Sequence, residues 1–245
     1  MRFSPLEPAT TRENPCKIAL EARMLELFAP ANARTGDLAA ANGIQNASLW
    51  RSDAIHRARN LAQLTHSLAN LSEHPSRRWL PDTLVVQTRS LARAYEELGA
   101  ECDQTELVPC VPLLTEIATR LPLIFAIARN LAAVVDTQPV TLVPDMRRAL
   151  ILMCSELIIN TLKYGYPDGA GGVIRVSLTN EPAGVRLIVE DDGVGAASAA
   201  MAGQGSALLE QLGDIMGASL TRSPGDNSQG YRVSAQIETI AAHPA

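Results

Sequence analysis

Ser155-Glu156-Leu157-Ile158-Ile159-Asn160-Thr161-Leu162-Lys163-Tyr164 decides how this chain is read. It belongs to a run from Leu150 to Leu162 in which nearly every side chain is aliphatic, the pattern of a buried helix. Glu156, Asn160 and Lys163 interrupt that run at i, i+4 and i+7, which stacks them on one helical face. A carboxylate, an amide and an ammonium on a mostly buried helix each need a partner, because unpaired polar burial is costly. The stripe therefore predicts something polar along that face, carrying phosphate or metal. The bland alternative is a polar seam solvated at a domain edge.

Two glycine clusters follow. Val189-Glu190-Asp191-Asp192-Gly193-Val194-Gly195 leaves a strand-like run, and Gly203-Gln204-Gly205-Ser206 opens the next helical pattern. Glycine at a strand exit lets backbone approach a ligand where a Cβ would clash, and main-chain amides at a helix start suit an anion. Either pair alone is weak, since many turns look this way. The order of the three elements is the stronger signal.

That order resembles the sensor histidine kinases of two-component systems. Glu156 to Pro167 is similar to their N box, Asp191-Asp192-Gly193-Val194-Gly195 to their G1 box, and Gly203-Gln204-Gly205 to their G2 box. The variant most similar is the short-lid class, in which Lys163-Tyr164-Gly165-Tyr166-Pro167-Asp168-Gly169 leads directly into a strand. That class carries its phosphoacceptor in an acid-x-x-His-Arg-x-basic-Asn motif, and this chain has Asp53-Ala54-Ile55-His56-Arg57-Ala58-Arg59-Asn60. The resemblance covers roughly residues 46 to 240.

The resemblance implies roles. His56 would be the phosphorylated nucleophile, since a neutral imidazole nitrogen can attack a γ-phosphoryl group. Asp53, one turn earlier, would accept or orient its proton. Asn160 would ligate Mg²⁺, Glu156 would hold one of the metal's waters, and Lys163 would reach phosphate as a point charge. Tyr164 falls in the same box. Asp191 would accept a hydrogen bond from the exocyclic amine of adenine, with Asp192 facing solvent. Gly193 and Gly195 would shape the base pocket, and Gly203 and Gly205 would let a lid, Ala196 to Ala202, approach the phosphates. Two positions depart from the family pattern. Tyr231 follows Gly230 where a small hydroxyl residue is usual, and Ser206-Ala207 follows Gly205 where leucine is common.

Composition sets the frame. The 245 residues are 47% hydrophobic and 19% charged, ordinary globular values with length for one large or two small domains. A net charge of −5 and a pI near 5.4 argue against an unaided nucleic-acid binder. Cys16, Cys102, Cys110 and Cys154 lack the C-x-x-C spacing of a zinc or redox site, which points to reducing cytoplasm. Met1 to Pro5 has no apolar secretory region, and Arg129 and Asn130 break the run Leu121 to Val135, so no membrane span is expected.

Along the chain, Ile18 to Phe28 has the spacing of a short amphipathic helix, followed by a linker. Helices are expected from about Ala47 to Leu71 and from about Asp82 to Leu98, with Pro75 to Arg78 between them. A lone hairpin cannot bury both apolar stripes, so two copies are expected to form a homodimeric four-helix bundle. Val111 to Ala133 reads as a helix with a kink or break at Pro122, and Val134 to Val143 as a strand. Pro144 suits a helix first turn and opens the helix that carries the polar stripe. Val173 to Thr179 and Val185 to Glu190 alternate as a hairpin; Gly205 to Met216 reads as helix, and Ala218 to Arg222 and Tyr231 to Ile237 as strands.

The fold class expected is α+β. The domains are an N-terminal extension (1–45), a dimerisation and phosphotransfer hairpin (46–104) and an α/β two-layer sandwich that binds ATP (105–245). The function implied is a soluble, cytoplasmic histidine kinase using ATP and Mg²⁺. Its partners would be a second copy, the receiver domain of a response regulator and a possible upstream sensor, with no nucleic acid and no membrane. The rivals are a histidine phosphotransferase adaptor with a degenerate ATP site, an anti-sigma-factor serine kinase and a purely structural dimeric scaffold.

Overall fold

The computed structural model describes residues 82–100, 106–125, 130–167, 170–195, 204–226 and 229–238. The N-terminal helix, the first hairpin helix and the lid lie outside these residues, as do His56, Asp53 and Gly203.

A five-stranded sheet backs three helices, and a fourth helix packs onto them. In chain order the elements are α1 (Asp82–Leu98), β1 (Val108–Pro109), α2 (Val111–Phe125), β2 (Leu131–Thr137), β3 (Thr141–Leu142) and α3 (Pro144–Asn160). A π-helical turn (Thr161–Gly165) extends α3 and is followed by β4 (Gly172–Glu181), β5 (Gly184–Asp191), α4 (Gln204–Met216), β6 (Ala218–Pro224) and β7 (Tyr231–Glu238). The sheet order is β2-β4-β5-β7-β6; β2 runs parallel to β4 and the other neighbours are antiparallel. The small pair β1-β3 is antiparallel and stands apart. This is the α+β two-layer arrangement expected.

The strands follow the alternation of their sequences. Ile174, Val176 and Leu178 of β4 face inward, as do Val185, Leu187 and Val189 of β5 and Val233, Ala235 and Ile237 of β7. Against them lies α3, whose residues from Arg148 to Ile159 are all buried. A helix buried around most of its girth belongs between layers, and α3 packs on α2, α4 and β5 at once. Each fully buried Leu or Ile here contributes on the order of 1.5–3 kcal/mol. Burial also pushes the thiol of Cys154 up to about 12 and that of Cys110 up to about 11, so both act as packing groups.

Two expectations need correction. Leu131 to Ala133 is strand rather than the end of a helix, and the described part of α2 runs from Val111 to Phe125. The two alanines suggested helix, but Val134 and Val135 give the segment β-branched character, and its pairing with β4 decides the outcome. The strand expected over Val134 to Val143 is two strands, because Gln138 to Val140 lie outside both ladders and β3 pairs with β1 rather than with the main sheet. Pro122 does not end α2, which continues three residues beyond it.

The C-terminal half of α1 shares the core of the sheet layer. Leu91, Ala94, Tyr95 and Leu98 are buried in the same cluster as α2 and α3. Arg148 of α3, 2% exposed, caps the helix end: its guanidinium donates to the carbonyls of Leu98 at 2.8 Å and Ala100 at 2.9 Å, and to Asp145 at 2.7 Å. Carbonyls that the last helical turn leaves unsatisfied are thereby paired.

Candidate functional site

Where α3 meets the ends of β5 and β7, a pocket opens. Leu157, Asn160, Thr161, Tyr164, Gly165, Val189, Asp191, Gly195, Tyr231 and Val233 line it. Apolar walls with a few convergent polar groups are the usual make-up of a small-molecule site.

Asp191 is its decisive group. It ends β5, points to the inner face and is only 3% exposed. Its Oδ1 accepts the Gly193 N–H at 3.0 Å, and its Oδ2 accepts the Thr161 hydroxyl at 3.1 Å. Burial raises the carboxyl above the usual carboxylate range, while the N–H of Gly193, the Thr161 hydroxyl and the main chain of Tyr231 pull it back down. Such a carboxylate is oriented from two sides and can still accept a donor from the pocket.

Glycines bring the loops against it. A Cβ on Gly193 would lie 2.1 Å from the Gly165 carbonyl oxygen, and the neighbouring Val194 N–H donates to that same oxygen at 2.9 Å. Gly230 has φ of +70°, and a Cβ there would lie 1.7 Å from the Asp191 carbonyl oxygen. Only glycine allows the β6–β7 turn to press so closely on Asp191. Gly195, at φ +77°, closes the same corner.

Asp192 faces solvent as expected, and it is also hydrogen-bonded. Its Oδ1 accepts the Val173 N–H at 2.7 Å and lies 2.8 Å from the hydroxyl of buried Tyr166. It thereby pins the segment after the π turn to the start of β4. A third acid, Glu190, is 4% exposed and joins Arg232 at 2.6 Å, while its other oxygen accepts the Asp226 N–H at 2.8 Å. Arg232 also bonds Asp226 at 2.7 Å, so this set braces the β6–β7 turn.

The stripe is brought together in part. Asn160 and Tyr164 line the pocket with Asp191 and Gly195. Glu156 is 7% exposed and does not line it; Lys163 is half-buried beside Glu156. Burial lowers the Lys163 ammonium below its ordinary range, and the negative charge of Glu156 offsets part of that. The shift from α to π winding after Asn160 sets Lys163 and Tyr164 off the strict α-helical register, a distortion frequent at functional sites. Gly205 enters the first turn of α4. Thr161 and the Arg232 set were not singled out from sequence; Thr161 follows Asn160 directly, but nothing local marks it as the partner of a residue thirty positions on.

No family model matches the sequence, and no curated protein matches it either. Solved structures do. The histidine kinase domain of the Erythrobacter litoralis blue-light activated histidine kinase superposes with a TM-score of 0.53 at 19% identity, covering 72% of this chain and 94% of that domain. The fold is that of a histidine kinase. The longer structure of the same Erythrobacter protein gives a TM-score of 0.52 at 22% identity over 83% of this chain, which spans 62% of that protein's length. In the histidine-kinase fold seen here, a helical element and a sheet-based lobe stand together, and the pocket at Asp191 lies in the lobe.

Proposed function

We propose that this chain is an ATP-dependent protein-histidine kinase of a two-component system. The observation that carries the reading is Asp191, a buried, doubly oriented carboxylate at a pocket whose rim includes Asn160. Its free acceptor capacity suits the exocyclic amine of adenine. Asn160 offers a hard amide oxygen for Mg²⁺. Among the described residues no three His, Cys, Asp or Glu side chains converge. A cation held chiefly by nucleotide phosphates and water, as Mg²⁺ prefers, fits that donor set. Lys163 and the start of α4 would face the phosphates, and Glu156 would hold a water or the incoming imidazole's proton.

His56, assisted by Asp53, would attack the γ-phosphorus; ADP leaves, and a phosphoramidate remains for transfer to a receiver-domain aspartate. Positioning and charge neutralisation supply most of the rate in such transfers. Residues 46–104 would form the dimerising hairpin, with Gly203 in the lid, and the protein would act in the cytoplasm. No helix among the described residues is long and apolar enough to cross a membrane. The pocket favours the kinase over a relay adaptor with a degenerate ATP site.

Incubation with γ-labelled ATP and Mg²⁺ tests this. Acid-labile, alkali-stable label is expected on the wild type and absent from His56→Ala and Asn160→Ala. Label retained by His56→Ala would overturn the assignment of the acceptor.

A further inference from the structure

Tyr231 occupies a position with consequences for what the pocket accepts. It opens β7 and pairs in register with Asp191 of β5. Side chains of a cross-strand pair project from the same face with Cβ atoms about 4.5–5.5 Å apart, so the phenol ring stands beside the carboxylate. Its inward direction is independently fixed, since Val233, Ala235 and Ile237, at every second position after it along β7, share its face and are buried. The ring is partly buried against the core and lines the pocket with Leu157, Val189 and Val233. Gly230 locks it there, because the turn before Tyr231 sits within contact of the Asp191 backbone.

We infer that Tyr231 is a specificity-determining wall of the base pocket, closing the space beside Asp191 so that only an unsubstituted amine fits against the carboxylate. This rests on the nucleotide reading above and deepens it. A base whose amine carries a bulky group would have to displace the ring, which cannot move far. Its backbone is fixed between Asp191 of β5 and Pro224 of β6, and the ring packs against the hydrophobic core.

The test compares binding of ATP and N6-benzyl-ATP, each with Mg²⁺, by calorimetry on the full chain. The variants are Tyr231→Thr, β-branched and suited to a strand, and Tyr231→Phe, which keeps the ring. Wild type and Tyr231→Phe are expected to bind N6-benzyl-ATP at least tenfold more weakly than ATP. In Tyr231→Thr that ratio is expected to fall by tenfold or more. Should Tyr231→Thr not fold, Tyr231→Val removes the same ring. ATP binding with the ratio unchanged in the ring-deleted variant overturns the inference alone. Absence of ATP binding by the wild type overturns the nucleotide reading, and this inference with it.

Discussion

The Tyr95 hydroxyl donates to Ser155 Oγ at 3.1 Å, joining α1 to α3 one residue before Glu156. Both residues are fully buried, and the Ser155 hydroxyl in turn donates to the Ile151 carbonyl at 2.9 Å. Burial with the nearby Glu156 charge holds the Tyr95 phenol well above its ordinary range, so it stays a donor. Tyr95→Phe should cost about 1 kcal/mol, the net worth of one hydrogen bond. Tyr95→Ala should cost roughly 3–5 kcal/mol, since it also leaves a cavity. Urea unfolding measures both; equal losses would show that the ring contributes nothing to joining the helices.

Arg232 holds the buried carboxylate of Glu190. Removing it leaves a charge in the sheet without its cation, a change that costs several kcal/mol when the pair is wholly buried. Arg232 is a third exposed, so solvent offsets part of this, and Arg232→Ala should destabilise by about 2 kcal/mol. Replacing both partners by apolar residues should recover most of the loss. A single variant as stable as the wild type would show the brace to be idle.

Gly193 and Gly217 make a contrasting pair. A Cβ at Gly193 meets backbone, whereas one at Gly217 meets nothing within 4 Å and suffers only from φ of +59°. Gly217→Ala should therefore cost about 1 kcal/mol. Gly193→Ala should shift the loop and weaken ATP binding by at least about tenfold, as loss of a hydrogen bond to a charged group does. Binding and thermal unfolding, measured on both, separate the two effects; undiminished ATP affinity in Gly193→Ala would contradict the packing described.

The helix of the polar stripe, the strand pair after it and the glycine-rich exit at Asp191 were legible because each rests on local pattern. Pro144 and the long, mostly aliphatic run mark α3, and the alternation from Val173 onward marks β4. What escaped depends on partners distant in sequence. Arg148 follows a second arginine and carries no local sign of burial, yet it is buried because the end of α1 returns to it. Asp192 reads as surface and is exposed, but nothing local marks its bond to Tyr166. Leu131 to Ala133 became strand only through its neighbour β4.

Asp191 also carries a cost to the folded lobe. Its folded-state pKa lies above its unfolded value, so the folded chain binds the proton more tightly. Stability from this group is present below the unfolded carboxylate range and is lost as pH rises through the raised pKa. Asp191→Asn should flatten that fall and raise the melting temperature of the nucleotide-free protein at neutral pH. A lower melting temperature would contradict the direction of the shift.

The most direct measurement is calorimetric titration of wild type and Asp191→Asn with ATP·Mg²⁺ and with GTP·Mg²⁺ at neutral pH. The wild type should bind ATP and prefer it to GTP, whose base presents a carbonyl where adenine presents an amine. Asp191→Asn should bind ATP about 10- to 100-fold more weakly, the worth of a hydrogen bond to a charged group. Equal ATP affinity in the two proteins, or a wild type that takes GTP as readily as ATP, would contradict the account.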